Sequence, residues 1–175
     1  VFRMSLSPSA QFDLETLISV AQPQRILLIG EIPEDLASDY VAQQSVLGVD
    51  IVVDHASLDD LEALQSDASI VYDLAIVNGV LENLQKPIGR QVLAQLRDRL
   101  SRQYCVHVAL DDHSRISQWS LTDFLSMALV RVNSYTIGST SFALFKYSIS
   151  SYKRTPDWLN ADNWANPDLW GKYWW

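Results

Sequence analysis

Apolar residues along the chain follow two patterns, one typical of helices and one typical of buried strands. From residue 8 to residue 21, apolar side chains recur three, four and seven positions after Leu14, and Ser7 stands before them as a helix cap. The next apolar run, Arg25–Gly30, is continuous, which is typical of a strand that is covered on both faces in a parallel sheet. The chain is therefore predicted to begin with a helix and a buried strand.

The same alternation continues as far as residue 129. Further helices are predicted over residues 33–43, from a capping box at residues 57–60, over residues 88–100, and from a second capping box at residues 120–123. Buried strands are predicted between them, over residues 49–53, 72–77 and 103–110. Strands and helices in this succession are typical of a parallel sheet between two layers of helices.

The pattern changes after Leu129. Residues 130–135 and 141–148 resemble strands and flank a turn sequence at residues 137–140, so they predict an antiparallel β-hairpin. The predicted fold class is thus α/β, a three-layer Rossmann-like sandwich whose mixed sheet ends in this hairpin. We expect residues 1–150 to form this one domain.

The last part of the sequence has a different composition. Residues 151–175 hold five of the six tryptophans, together with Pro156 and Pro167. Because exposed indoles are unfavourable, we expect this extension to pack on the domain or on a second subunit, which would make the protein a homodimer. Its aspartates are not accompanied by a basic stripe, which argues against contact with a membrane surface.

Composition and charge narrow the range of functions. A chain of 175 residues with a formal net charge of −8 is predicted to be one acidic domain that does not bind nucleic acid. The single cysteine, Cys105, excludes an internal disulfide and a cysteine-based zinc cluster, and the histidine spacing predicts no other metal site. The sequence has neither a membrane-spanning apolar run nor a signal-peptide pattern, so we expect a cytoplasmic protein.

Residues directly after the predicted strands are the first candidates for a binding site, because parallel sheets bind ligands beyond the carboxyl ends of their strands. Gly30 is followed by acids, at Glu31, Glu34 and Asp35, rather than by further glycines. Both features disfavour a phosphate-binding loop and favour a ligand with positive charge. The acids have a second interpretation, since carboxylates in the first turn of a helix complement its dipole.

Residues 72–84, with the sequence Tyr-Asp-Leu-Ala-Ile-Val-Asn-Gly-Val-Leu-Glu-Asn-Leu, resemble the fourth-strand signature of class I S-adenosylmethionine-dependent methyltransferases. The closing hairpin resembles that family's reversed final strand, and the resemblance extends over residues 22–148. It implies a methyltransferase-like fold and S-adenosylmethionine as the cofactor. The residues that would hold the cofactor are Gly30, Glu31, Asp54, Asn78 and Gly79. The whole chain also resembles a small group of uncharacterised bacterial proteins.

The sequence departs from that family's pattern at three places. Ile32 and Glu34 stand where further glycines would let the backbone approach the cofactor, and residues 101–103 replace the family's Pro-Gly-Gly. The segment between Gly30 and Tyr72 is also too short for two strand–helix units. One unit is therefore missing, and an edge strand is the one whose loss removes the fewest contacts.

This short segment allows two interpretations. In one interpretation, residues 49–53 are the second strand of the sheet, and Asp50 or Asp54 is the acid that would hold the ribose hydroxyls. In the other interpretation, residues 51–56 are the third strand, with the aspartate that would lie beside adenine.

Two functions of different classes remain open. The first is a methyltransferase of unknown substrate, which mainly positions cofactor and substrate and so needs no catalytic triad. The second is a methyltransferase-like protein that has lost the cofactor and binds a small molecule or a protein partner. No catalytic residue is predicted: His107 is expected to be a hydrogen-bonded core residue, and residues 111–113 a polar loop before a helix cap. Ile32 and Glu34 favour the second function, whereas the signature that follows Asn78 favours the first.

Overall fold

A mixed sheet of six strands runs through the computed structural model, which describes residues 6–60 and 70–149. The strands are β1 (Arg25–Gly30), β2 (Val52–Ala56), β3 (Leu74–Asn78), β4 (Gln103–Leu110), β5 (Val130–Ile137) and β6 (Thr140–Ser148). Their order is β2-β1-β3-β4-β6-β5, and β6 runs in the direction opposite to the other five strands. The predicted α/β sandwich with a mixed sheet and a closing hairpin is confirmed.

Helices cover both faces of this sheet. One face carries α1 (Pro8–Ala21) and α2 (Ser38–Val46), and the other carries α3 (Lys86–Gln95) and α4 (Leu121–Ser126). A 3₁₀ turn (Leu81–Asn83) precedes α3, and a π-helical turn (Leu96–Leu100) extends it. Within the described residues, none of the helices combines the length and the apolar character that a membrane span requires.

The core between α1 and the sheet follows the predicted apolar stripe. Leu14 and Ile18 are fully buried and belong to one cluster with Leu28 of β1 and Ile76 of β3. Ser7 caps the helix, because its hydroxyl accepts the backbone N–H of Ala10 at 3.2 Å. Local sequence signals and tertiary packing therefore agree in this part of the chain.

The core on the other face is built around Trp119. Its ring lies so close to Gly89 of α3 that a Cβ there would come within 2.6 Å of Trp119 Cζ2. Its indole N–H donates to the Leu81 carbonyl at 3.0 Å, and its ring packs on Phe124 of α4 at 5.2 Å. The predicted capping box that starts with Ser120 is present in α4. This tryptophan thus joins α3, α4 and the turn after β3.

Two predicted elements lie elsewhere along the chain. The helix predicted over residues 33–43 begins only at Ser38, because Pro33 and Asp35 accept turn bonds from backbone N–H groups three residues later. The strand predicted over residues 49–53 instead comprises Val52–Ala56. Val49 is not part of it, because its N–H donates to the Gln44 carbonyl and closes the end of α2.

Three other boundaries shift by a few residues. The helix predicted over residues 88–100 starts two residues earlier, at Lys86, and its last turn is π-helical. The strand predicted over residues 72–77 begins at Leu74, and Tyr72 forms only an isolated bridge with Ser101. The hairpin strands continue to a two-residue turn at residues 138–139.

The position of β2 decides between the two interpretations of the short segment. β2 pairs directly with β1, with Val52 opposite Arg25 and Ala56 opposite Ile29, so it is the second strand of the pattern. On its other side, the described ranges 6–60 and 70–149 supply no further strand, in agreement with the expected loss of an edge strand. The tryptophan-rich extension, residues 151–175, lies outside the described residues.

Candidate functional site

The sheet changes the direction of its connections between β1 and β3. These strands are neighbours, but the chain leaves β1 toward α2 on one face and leaves β3 toward α3 on the other. Such a switch point is where open α/β sheets bind ligands. Four of the five predicted site residues meet there: Gly30, Glu31, Asn78 and Gly79.

Gly30 is held tightly against the segment that follows β3. Its φ is +93°, and a Cβ at this position would lie 2.1 Å from the Asn78 carbonyl oxygen and 2.4 Å from Val80 Cγ2. Only glycine allows this approach. The Val80 side chain, which is buried, therefore occupies the space next to the end of β1.

The segments after β1 and β3 are also joined by hydrogen bonds. The Glu31 N–H donates to the Asn78 carbonyl at 3.0 Å, and the Asn78 side-chain amide donates to the Glu31 carbonyl. Gly79 has a φ of +67°, and the Glu31 side chain lies directly beside its Cα. Two carbonyl groups at the switch point thus already accept hydrogen bonds from the protein itself.

The fifth predicted residue, Asp54, lies away from the other four. It stands opposite Leu27 in the middle of β2, three residues before the level of Gly30, or about 10 Å along the strand. Its carboxylate accepts the Tyr72 hydroxyl at 2.9 Å. Burial, together with this hydrogen bond, raises the pKa of Tyr72 to about 12. The alternative acid, Asp50, is exposed and precedes β2, at the opposite end of the sheet.

His107 of β4 extends the polar contacts of the switch point into the core. It is opposite Asn78 in the sheet, and its Nδ1 lies 2.7 Å from Asn78 Oδ1. Because the Asn78 amide nitrogen donates to Glu31, its oxygen is the acceptor and the His107 Nδ1 carries the proton. Burial lowers the pKa of His107 to about 4, so the ring is neutral. The predicted hydrogen-bonded core histidine is confirmed.

The second nitrogen of this ring, His107 Nε2, is buried and has no hydrogen-bond partner among the described residues. The ring stacks on Phe142 at 5.3 Å with an interplanar angle of 1°, and Tyr135 tilts against it at 5.7 Å. The Tyr135 hydroxyl donates to Asp13 of α1. The unpaired nitrogen is therefore an acceptor in an aromatic environment.

Glu82 is a second buried group at the end of β3. One carboxylate oxygen accepts the Ala109 N–H at 2.8 Å, where β4 extends beyond β3, and the other has no partner among residues 6–60 and 70–149. Burial raises the pKa of this carboxyl group. In the sequence, Glu82 is recognisable only as part of the signature, with no predicted role. Its place four residues after the end of a buried strand is the signal that could have identified it.

The loop after β4 has the predicted polar character. Asp112 organises it by accepting hydrogen bonds from the N–H and hydroxyl of Ser114, at 3.0 and 2.6 Å, and from Arg115 at 3.2 Å. These bonds lower the pKa of Asp112. Across the described part of the chain, no three His, Cys, Asp or Glu side chains are grouped so that they could hold a metal ion.

The acids after Gly30 are exposed and form an acidic lip, defined by Glu31, Glu34 and Asp35. The structure does not favour the interpretation that these acids complement a helix dipole. α2 begins only at Ser38, and dipole interactions fall off within the first turn of a helix. The lip therefore remains a surface of negative potential beside the switch point.

Several solved structures are similar to this chain. Magnesium protoporphyrin IX methyltransferase from Synechocystis PCC 6803 with bound SAM is 10% identical over 78% of this chain and 77% of that chain, with a TM-score of 0.44. The O-methyltransferase TomG from Streptomyces achromogenes in complex with SAM is 18% identical, with coverages of 82% and 81% and a TM-score of 0.46. 1,6-Didemethyltoxoflavin-N1-methyltransferase from Burkholderia thailandensis is 12% identical over 79% of this chain and 78% of that chain, with a TM-score of 0.47.

Identities at this level describe a distant likeness and carry no statement about activity or substrate. Among curated proteins, none matches the sequence. One family model matches residues 8–175, which is nearly the whole chain, and its description is "Family of unknown function". The chain belongs to this family of unknown function, DUF6231.

Proposed function

We propose that this protein is a methyltransferase-like binding protein that no longer holds S-adenosylmethionine at its switch point. The observation that carries the proposal is the filled crevice between β1 and β3. Val80 lies against Gly30, and Glu31 and Asn78 satisfy each other's backbone groups. A ligand that entered this crevice would have to displace these contacts first.

The size of that barrier can be worked out from the contacts. Each of the two hydrogen bonds contributes about 0.5–1.5 kcal/mol, and exposing the Val80 side chain costs about 1.5–3 kcal/mol. Opening the crevice therefore costs roughly 3–6 kcal/mol, which weakens binding about a hundredfold or more. Ile32, which follows these residues, is partly buried and packs against the core on the α1 face of the sheet.

The unpartnered atoms at the ends of β3 and β4 support a binding role at a different place. His107 Nε2, which could accept a hydrogen bond, and the second Glu82 oxygen both lack a partner within the described residues. An unsatisfied buried polar group costs about 1–3 kcal/mol, so a ligand that supplies donors there gains affinity. The chemistry fits a small molecule with hydroxyl or amine groups.

Calorimetric titration tests the proposal. Wild-type protein and Val80→Ala are titrated in parallel with S-adenosylmethionine and S-adenosylhomocysteine up to ~1 mM, a range that detects binding stronger than about −4 kcal/mol. We expect no binding to the wild type. Weak binding to Val80→Ala alone would support the steric explanation, and no binding to either supports the loss of the cofactor. Binding to the wild type with a dissociation constant below about 100 μM would overturn the proposal.

The acidic lip favours a second candidate, a methyltransferase of unknown substrate that uses S-adenosylmethionine. Glu31, Glu34 and Asp35 attract positive charge, and the sulfonium group of this cofactor is a cation. If the wild type does bind in the titration, Glu31→Gln should weaken the binding severalfold. The matched control is Asp39→Asn, which removes an equally exposed carboxylate from α2. Equal effects of the two substitutions would exclude the lip as the reason for binding.

A further inference from the structure

The two helices on one face of the sheet leave a groove of about 310 Å³ between them. Its floor is formed by Ile18 of α1 and by Leu36 and Tyr40, and all three are buried. A volume of this size lies at the lower end of the range for sites that hold a small ligand. The switch-point residues do not line the groove, so it is a separate feature of the surface.

The rims of this groove combine exposed apolar side chains with carboxylates. Phe12 and Val20 of α1 line it and are 67% and 72% exposed. Glu15 of α1 and Asp39 of α2 line it as well, and the described residues that line it include no lysine or arginine. Large apolar side chains that are exposed along one groove indicate that something covers it. The carboxylates indicate that the occupant brings positive charge or hydrogen-bond donors.

We propose that the occupant is the chain's own C-terminal segment, residues 152–175, and that one of its tryptophan side chains fills the groove. An indole is complementary to this groove, because its ring is apolar and its single N–H can donate to a carboxylate at the rim. The segment begins with the basic pair Lys153 and Arg154, which complements the acidic rims. Five tryptophans in this segment give it the apolar surface that docking requires.

The length of the segment is sufficient for this contact. β6 ends at Ser148, and an extended chain spans about 3.3 Å per residue, so twenty residues reach roughly 65 Å. A domain of this size is only about 40 Å across. Docking within one chain is favoured over docking on a second copy, because a tethered segment has an effective concentration on the order of millimolar.

Blocking the groove gives the first test. Ser19 is exposed and lines the groove, and in Ser19→Arg the long new side chain can pair with Glu15 one turn earlier on α1, along the rim of the groove. Ser45→Arg is the matched control, because Ser45 is exposed on α2 and does not line the groove. We expect Ser19→Arg to shift tryptophan emission to longer wavelength and to increase acrylamide quenching about twofold. Ser45→Arg should behave as the wild type. Equal quenching in all three full-length proteins would overturn the proposal.

Paramagnetic broadening gives a second test that does not depend on disrupting the contact. Cys105 is fully buried, so a nitroxide label attaches to a cysteine introduced by Ser19→Cys or, as the control, by Ser139→Cys at the hairpin turn. We expect the label at position 19 to broaden at least one tail indole N–H signal and the label at position 139 to broaden none. The opposite pattern would refute docking in the groove. A mixed sample contains copies that carry the nitroxide and copies that do not. If the nitroxide broadened the indole signals of the copies that do not carry it, the segment would dock on a second subunit, which also contradicts the proposal.

Discussion

Replacing Gly30 by alanine tests the central contact of the candidate site. The added methyl group would lie 2.1 Å from the Asn78 carbonyl oxygen and 2.4 Å from Val80 Cγ2, both far inside van der Waals distance. The backbone also adopts a φ of +93° there, which a residue with a Cβ rarely tolerates. Gly30→Ala therefore combines backbone strain with a steric clash against β3.

Gly48→Ala separates these two effects. Gly48 follows α2, has a φ of +76°, and a Cβ there would meet no atom within 4 Å. Positive φ costs alanine about 1–2 kcal/mol, and overpacking costs about 1–3 kcal/mol more. The entropy that alanine removes from the unfolded chain is the same in both variants and cancels in the comparison. We therefore expect Gly30→Ala to lose about 2–5 kcal/mol and Gly48→Ala only about 1–2 kcal/mol.

Urea unfolding followed by circular dichroism measures both values. The difference between the variants, about 1–3 kcal/mol, lies above the error of a comparison at constant slope. Two variants that agreed within about 0.5 kcal/mol would refute the reasoning. In that case the segments after β1 and β3 would separate easily, and the crevice would be open to a ligand at little cost.

Three further predictions concern buried ionisable groups. Burial raises the pKa of Asp123, but bonds from Lys86, Ser120 and Arg90 outweigh it and hold the pKa far below its usual value. Asp123→Asn should lose about 2 kcal/mol at pH 7 in urea unfolding, and this loss should shrink progressively as the pH falls below about 4, because the unfolded chain is protonated there before the folded protein is. The pKa of about 4 at His107 means that the unfolded chain binds more protons below pH 6.5. The free energy of unfolding should therefore fall by up to roughly 3 kcal/mol between pH 6.5 and 4. His107→Phe should abolish this pH dependence. His113→Phe, at an exposed position, is the control and should retain it. Glu82→Gln should leave the melting temperature at pH 7 unchanged or higher, because a neutral amide still accepts the buried N–H that Glu82 accepts, whereas Glu82→Ala should lower it by at least about 3 °C.

Elements with strong local signals could be predicted from the sequence with their bounds. α1 begins and ends where its apolar stripe, its cap and Pro23 place it, and β4 has the bounds predicted for it, residues 103–110. The second strand could not be located in this way. Val49 is apolar, but its N–H closes the end of α2, and the strand starts where Val52 pairs with Arg25. That register depends on tertiary pairing rather than on local pattern.

In the candidate site, too, some features could be predicted from the sequence and others depend on tertiary structure. The meeting of Gly30 with Asn78 follows from two parallel strands whose carboxyl ends lie at one edge, so it could be expected from the chain alone. The direction of the Val80 side chain and the hydrogen bonds between the two segments depend on positions fixed by the whole sheet. The distance of Asp54 from the other four residues could not be predicted for the same reason, since its position along β2 depends on the register of that strand.

Asn78 explains why binding at the ends of β3 and β4 is favoured over binding in the crevice. Its backbone and side chain bond to Glu31 after β1 and to His107 on β4, so it joins three neighbouring strands. A ligand in the crevice would have to replace those bonds one by one, and each replacement yields little net free energy. A ligand that reaches His107 Nε2 or the second oxygen of Glu82 would instead satisfy atoms that lack partners within the described residues. This second mode breaks no native hydrogen bond, so its cost is limited to moving the side chains that bury His107 and Glu82.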